Sequence, residues 1–255
     1  MSTRGGGVSQ GVYGSLNLGF HVGDDNGAVL TNRKRFFQTL SIPFESVVTA
    51  QQVHGAEVRV VTEHDCGTGV RSWEEGLPQT DAMVTDVCDV GLLVLVADCA
   101  PVLLHDQKRK AVGIAHGSWR GTAEGIARNT VLKMIAEFGC KPENIRAGIG
   151  PSIGPCCYRV GEEVISCLKN AAPDIWNNLL IPKGKDTVFL NLWEALLQQL
   201  IEAGIQREKI EIAGICTACH TDLFYSHRRE NGKTGRNGAI IALRNQEEHL
   251  EACHE

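Results

Sequence analysis

The sequence predicts an α+β fold with mixed β-sheets, not a doubly wound parallel sheet. Three observations carry this. Short apolar runs of strand length outnumber the segments with helical spacing. The two kinds do not alternate regularly along the chain. Gly, Pro, Asn and Asp punctuate the runs at turn positions. From the N-terminus, residues 8–20 read as strand and turn. Asp24, Asp25 and Asn26 offer caps for a helix to about residue 40. Residues 47–52 and 58–62 read as strands on either side of a His54-Gly55 turn. Apolar runs at 92–96, 102–104 and 111–114, with polar Asp106-Gln107-Lys108-Arg109 between the last two, give a hairpin pattern. Residues 122–138 have helical spacing, with Thr122 as N-cap and Gly139 as the stop. A strand at 145–149 runs into the Gly/Pro loop 150–155, and helices follow at 162–170 and 190–203, the latter ended by Gly204. Strands near 210–215, 223–226 and 239–243 complete the pattern, and there is no internal repeat.

With 255 residues, 43% of them hydrophobic, the chain can bury a sizeable core, and no linker composition divides it, so one domain over 1–255 is expected. A net charge of -5 argues against nucleic acid or an anionic membrane as the main partner and favours a small-molecule substrate. The N-terminus has no apolar signal region, and no stretch approaches the ~18 apolar residues of a spanning helix. Ten cysteines scattered over such a chain read as free thiols, so a cytoplasmic protein is expected.

His54, Cys99 and His116 each close an apolar run. A hairpin turn centred between Gln107 and Lys108 places Cys99 opposite His116, with Cβ atoms about 5 Å apart; Pro101 marks the first strand as interrupted or at an edge. Two histidines and a cysteine make a catalytic zinc set, three protein ligands with one position open. The same residues also fit metal-free chemistry, with Cys99 as nucleophile and His116 as base. Arg120, four residues past His116, suits a phosphate or carboxylate. The basic run from Tyr225 to Arg236, with Arg229 and Lys233, reads as an anion clamp or a solvated hairpin.

Several shorter motifs fail on context. Gly150-Pro-Ser-Ile-Gly154 fits a nucleophile elbow, but Pro155-Cys156-Cys157 stands where the elbow needs a helix. Cys216-Thr-Ala-Cys219-His220 matches a haem attachment or a redox dithiol, without the export signal that such cytochromes need. Gly232-Lys-Thr has His227 where a P-loop needs its first glycine, and the zinc-deaminase pattern is broken at both halves.

Ser15-Leu-Asn-Leu-Gly19, His21-Val-Gly-Asp24, Gln52-Val-His-Gly55, Thr80-Asp-Ala82, Ala97-Asp-Cys99, Ala115-His116 with Trp119-Arg-Gly-Thr122, Gly150 to Tyr158 and Ser226 to Arg236 together resemble the polyphenol oxidase, laccase-domain or purine nucleoside phosphorylase family. The resemblance implies mixed sheets packed in a sandwich-like core flanked by helices, similar to the catalytic domain of cytotoxic necrotizing factor. It implies zinc, or copper, on the equivalents of His54, Cys99 and His116, with Cys99, His54, His116 and Arg120 catalytic. Asn17, Gln52, Asp81, Arg120, Arg229 and Lys233 are then candidates for substrate and phosphate. Gly117-Ser118 replaces the usual Ala-Gly, Arg159 replaces the usual Glu, and the strands that usually precede the Arg4 segment are missing or shortened.

The activities implied are phosphorolysis of adenosine and inosine, with methylthioadenosine as a further substrate, and adenosine deamination as a side activity. Copper-dependent polyphenol oxidation and Cys-dependent amide hydrolysis are the alternatives, with a non-enzymatic metal module last. True laccase chemistry needs a trinuclear copper cluster on His-x-His pairs, and none of the nine histidines forms such a pair.

Overall fold

The computed structural model describes residues 1–171, 176–184 and 187–244. Its strands are β1 Val47–Thr49, β2 Val58–Val60, β3 Ala82–Thr85, β4 Gly91–Val96, β5 Ala100–Asp106, β6 Ala111–Gly117, β7 Ile145–Ile149, β8 Arg159–Val160, β9 Leu180–Pro182, β10 Val188–Leu190, β11 Ile210–Ile212 and β12 Asn237–Ala242. The helices are α1 Asn26–Thr39, α2 Trp119–Ala123, α3 Ile126–Phe138, α4 Glu162–Ala171, α5 Trp176–Leu179 and α6 Leu192–Glu202. A six-stranded mixed sheet runs β11-β7-β5-β6-β3-β2. A three-stranded sheet, β1-β4-β12, packs on it, and a small β8-β10-β9 sheet stands apart. The α+β prediction holds.

Four layers result, and strand parity decides them. In β6, Val112 and Ile114 meet Leu92 and Val94 of β4 in the core between the sheets. Ala111 and Ala115, pointing the other way, pack on Ile126, Val131 and Met134 of α3 and Leu196 and Leu200 of α6. Leu93 and Leu95 of β4 face outward onto Phe36 and Phe37 of α1. Every residue of β4 and β6 is buried, because both faces of each strand are covered. No helix among the described residues is long and apolar enough to cross a membrane.

The predicted hairpin forms with its register two residues out. Pro101, not Cys99, lies opposite His116, and the turn occupies residues 107–110. Asp106 displaces the turn by accepting the N–H groups of Lys108 and Arg109. A two-residue slip preserves the face, so Cys99 and His116 still point the same way, now on a diagonal. Pro101 sits in a central strand at the end of its pairing with β7: its carbonyl accepts the Gly150 N–H at 2.9 Å, and the missing N–H costs only the reciprocal bond at that end.

Other differences are local. Residues 8–20 hold one 3-10 turn, Gly11–Tyr13, and the first residue of a second, Phe20–Val22, and no strand; residues 223–226 are irregular. The predicted helix at 122–138 is two helices. Ser118 caps the first by accepting the Gly121 N–H, and Gly125, at φ +84°, restarts the second, so Thr122 is interior and its buried hydroxyl lacks a partner. Gly139 ends α3 in the left-handed conformation, as its position predicts. β1 pairs with β4 and β2 with β3, so the segment bearing His54 crosses from one sheet to the other.

Candidate active site

That crossing, the start of β5 and the end of β6 meet at one mouth of the inter-sheet layer. His116 is in phase with Val112 and Ile114 and points into the layer. Cys99 precedes β5, and the exposed His54 sits on the crossing loop at φ +64°, a left-handed conformation that costs a non-glycine residue ~1–3 kcal/mol. Asp81 holds that conformation. Its buried carboxylate accepts the N–H groups of Val53, His54 and Gly55 at 3.1, 3.0 and 2.9 Å and contacts His116 Nδ1 at 2.8 Å. One side chain thus shapes the His54 loop and fixes the His116 ring with its other nitrogen turned toward Cys99, as a carboxylate does behind a metal-bound histidine. The Trp-Arg-Gly-Thr segment supports the same loop from behind. A Cβ on Gly121 would lie 2.4 Å from the Gly55 carbonyl oxygen, and Ser118 Oγ donates to the His54 carbonyl.

One ligand atom from each of His54, Cys99 and His116 lies within 4.8 Å of the others, and the two imidazoles meet edge to face at 4.9 Å. Burial works against charge here. It would raise the Cys99 thiol, yet the charge and hydrogen bond of His116, with those of His54, bring it down to about 6. It would lower His116, yet the Cys99 thiolate and Asp81 push it up to about 9. Asp81 itself stays below the usual carboxylate value, because the His116 contact and the backbone N–H groups outweigh its burial. A thiolate and two imidazoles are a borderline-soft donor set, and three of them leave a position open; both features fit zinc or copper.

The triad opens into a cavity of about 380 Å³. Trp73, Trp119 and Tyr158 give it aromatic walls, Arg120, Arg228 and Arg236 give it a positive lining, and His21 and His227 line it as imidazoles that burial and the neighbouring Arg236 hold toward the neutral form. Asp98, at φ +85°, braces the opposite side: its carboxylate accepts the Thr217 hydroxyl at 2.6 Å and the Arg228 N–H at 2.7 Å, and its carbonyl accepts the Ile153 N–H.

The residues singled out from sequence take different positions around this cavity. Arg120 lines it, stacked 4.3 Å over Trp119 and paired at 3.0 Å with exposed Glu163. Gln52 lines it with its amide committed to both backbone groups of Leu95. Asp81 stands behind the histidines. Asn17 is fully buried, bonded to Gly19, Asp24 and the Arg236 N–H. Arg229 and Lys233 are exposed and are not among the cavity-lining residues, whereas Arg228 and Arg236 of the same basic run are. Sequence reasoning passed over Trp73, although the long irregular stretch between β2 and β3 was a signal of a functional loop.

Known proteins resemble this chain over nearly its whole length. Purine nucleoside phosphorylase YlmD of Geobacillus stearothermophilus is 39% identical over 246 residues, 96% of this chain and 90% of that protein. Adenosine deaminase RL5, from an unknown prokaryotic organism, is 30% identical over 92% of this chain and 89% of its own length. The crystal structure of the Bacillus licheniformis hypothetical protein YfiH superposes with a TM-score of 0.92 at 39% identity, covering 95% of this chain and 91% of that one. The family described as multi-copper polyphenol oxidoreductase laccase matches residues 1–244, the span that contains all three sheets, the triad and the basic run, and the chain belongs to that family.

Proposed function

We propose that the chain is a zinc-dependent purine nucleoside phosphorylase acting on adenosine and inosine, with methylthioadenosine as a further substrate and adenosine deamination as a side activity. The observation that carries this reading is one cavity with a metal-ready triad, flat aromatic walls and three arginines. A purine is planar and stacks on aromatic faces. Inorganic phosphate suits guanidinium forks. A dianionic co-substrate and a neutral nucleoside therefore find complementary surfaces side by side. In phosphorolysis a phosphate oxygen bonds to the ribose C1′ while the C1′–N9 bond breaks; the base leaves with that electron pair and takes up a proton, giving free base and ribose 1-phosphate.

His54, Cys99 and His116 hold the metal, which supplies Lewis acidity at an open position when bound. Asp81 keeps the His116 imidazole aimed and holds the backbone of the His54 loop. Arg120 binds phosphate, with Arg228 and Arg236 closer to hand than Arg229 and Lys233, and the arrangement holds the phosphate near C1′. Gln52 and Asn17 act as positioning residues, Gln52 through Leu95 and Asn17 through the Arg236 backbone. The cytoplasm, which keeps cysteines reduced, is the location that fits this reading.

Deamination is supported by the relative named adenosine deaminase. Incubation with adenosine or inosine, with and without phosphate, followed by mass analysis, separates the readings. Phosphorolysis gives base and ribose 1-phosphate only with phosphate. Deamination gives inosine from adenosine without it. Copper-dependent polyphenol oxidation consumes oxygen, and a cysteine amidase survives chelation but not iodoacetamide. Unchanged nucleosides with the triad's metal in place would overturn the phosphorylase reading. An unchanged phosphate KM in Arg120→Lys would overturn the role of Arg120, since a point charge does not replace a fork.

A further inference from the structure

Four cysteines converge outside the cavity. Strands β7 and β11 pair in parallel, and the pairing continues past both: Ala213 N–H donates to the Ile149 carbonyl, Ser152 N–H to Ile215 and Thr217 N–H to Ser152, at 2.9, 3.2 and 3.1 Å. Two turns are thereby delivered side by side. In one, the N–H groups of Cys157 and Tyr158 both donate to the Gly154 carbonyl; in the other, those of Cys219 and His220 both donate to Cys216. The first turn presents Cys156 and Cys157, the second Cys216 and Cys219.

All four sulfurs lie within 4.8 Å of one another, with Cys156–Cys219 at 3.6 Å and Cys157–Cys219 at 3.4 Å. A tetrahedral zinc with Zn–S bonds of about 2.3 Å sets its sulfurs about 3.8 Å apart, close to what is seen. A disulfide requires about 2.05 Å and pairs sulfurs two by two, so it does not account for a four-way cluster. Thiols are weak donors and acceptors, and four packed together gain little from each other alone. The Gly154 N–H points at Cys216 Sγ from 3.2 Å, the kind of hydrogen bond that steadies a metal-bound thiolate. A Cβ on Gly154 would lie 2.9 Å from the Trp193 ring and 3.2 Å from Cys216 Cβ, so glycine is what permits this approach.

We propose that Cys156, Cys157, Cys216 and Cys219 form a second metal site, a closed tetrathiolate that takes zinc and staples together the two turns behind the cavity. Binding displaces the four thiol protons to solvent and leaves no coordination position open, so the site is structural. Its two turns reach the reacting region directly. Thr217 and Ile153 hold Asp98, the residue before Cys99, and Ile153 and Tyr158 line the cavity.

Metal analysis of the purified full-length chain tests this without reference to activity. About two zinc ions per chain are expected, with one kept in His116→Ala, one kept in Cys219→Ser and none in the double variant. In cobalt-loaded protein, the intense visible bands of a tetrathiolate cobalt site persist in His116→Ala, and in Cys219→Ser only the weaker bands of the single-thiolate triad remain. A single zinc per chain, lost entirely in His116→Ala, overturns the proposal. So does a non-reduced intact mass lighter by paired hydrogens with no second metal. If Cys219→Ser does not fold, alkylation of the native wild type decides. The four thiols should react with iodoacetamide only after chelation, while exposed Cys66 reacts throughout. Labelling of all four at the Cys66 rate in zinc-replete protein overturns the site.

Discussion

Two buried aspartates organise the two sides of the cavity, and they do so differently. Asp81 and Asp98 are 1% and 7% exposed, and each carboxylate is spent on hydrogen bonds that hold a loop. Asp81 takes three consecutive backbone N–H groups and the ring of His116, so it is joined to both histidines of the triad. Asp98 takes the Thr217 hydroxyl and the Arg228 N–H, so it is joined to the loops that carry the wall and the basic run. The third member of the triad, Cys99, follows Asp98 in the chain but donates no hydrogen bond to that carboxylate among the described contacts. Damage at Asp81 is therefore expected to reach the metal, and damage at Asp98 to reach the substrate walls.

The largest effect is expected from Asp81→Asn. An amide has one acceptor oxygen where the carboxylate served four donors, and it brings two N–H donors of its own. Stability should fall by about 3 kcal/mol, and zinc affinity by about 10–100-fold through the loss of ring orientation. Calorimetry and competition with a chelator measure both; zinc affinity equal to wild type would break the comparison. Acid sharpens it. The Asp81 carboxyl is held below its ordinary 3.8 in the folded chain. Its contribution is therefore complete above that value and lost as pH falls through the folded value. Metal-free wild type should lose stability more steeply below about pH 4 than Asp81→Asn does.

Gly121→Ala should come next, and it probes the His54 loop without touching charge. The new methyl meets the Gly55 carbonyl oxygen at 2.4 Å, so α2 or the loop must move. A loss of ~1–3 kcal/mol is expected, with weakened zinc binding. A crystal structure with the His54 loop unmoved and full zinc affinity would show that Asp81 alone sets the loop.

Much of this was readable from the chain, for identifiable reasons. The runs at 92–96 and 111–114 are continuous because both of their faces are buried, and continuity is a one-dimensional property. That Cys99 and His116 share a face survived a register error, because the side-chain period of 2 forgives a slip of two. The break before α3 was hidden, since Gly125 interrupts the backbone without interrupting the helical spacing of apolar residues. The four-cysteine cluster was hidden for a different reason. It exists only because β7 and β11 are neighbours, and parallel adjacency between distant segments leaves no local mark. Trp73 escaped because its loop has no periodicity; only the length of that loop marked it, and tertiary placement is what brings it to the cavity.

Thr217→Val tests the Asp98 side at a smaller scale. The valine keeps the shape and removes one donor from a buried carboxylate, a loss of ~1–2 kcal/mol. The triad's zinc should stay in place, and KM should rise more than kcat falls, because the walls and not the ligands have moved. Loss of the triad's zinc in this variant would show that the two aspartates are coupled more tightly than their contacts indicate.

The smallest effect belongs to Glu163→Gln. Arg120 and Glu163 are exposed, with side chains 54% and 74% accessible, and such a pair contributes ~0.2–1 kcal/mol at most. Stability should change by no more than about 0.5 kcal/mol. The pair nevertheless occupies the guanidinium assigned to phosphate. Phosphate binding by Arg120 must compete with Glu163, so releasing it should lower the phosphate KM by up to about fivefold, the equivalent of the pair's whole energy. Low ionic strength should enlarge the difference, because added salt already screens the pair in the wild type. If the KM is unmoved at low salt, Arg120 does not leave Glu163 to bind phosphate, and the anion subsite then belongs to Arg228 and Arg236 alone.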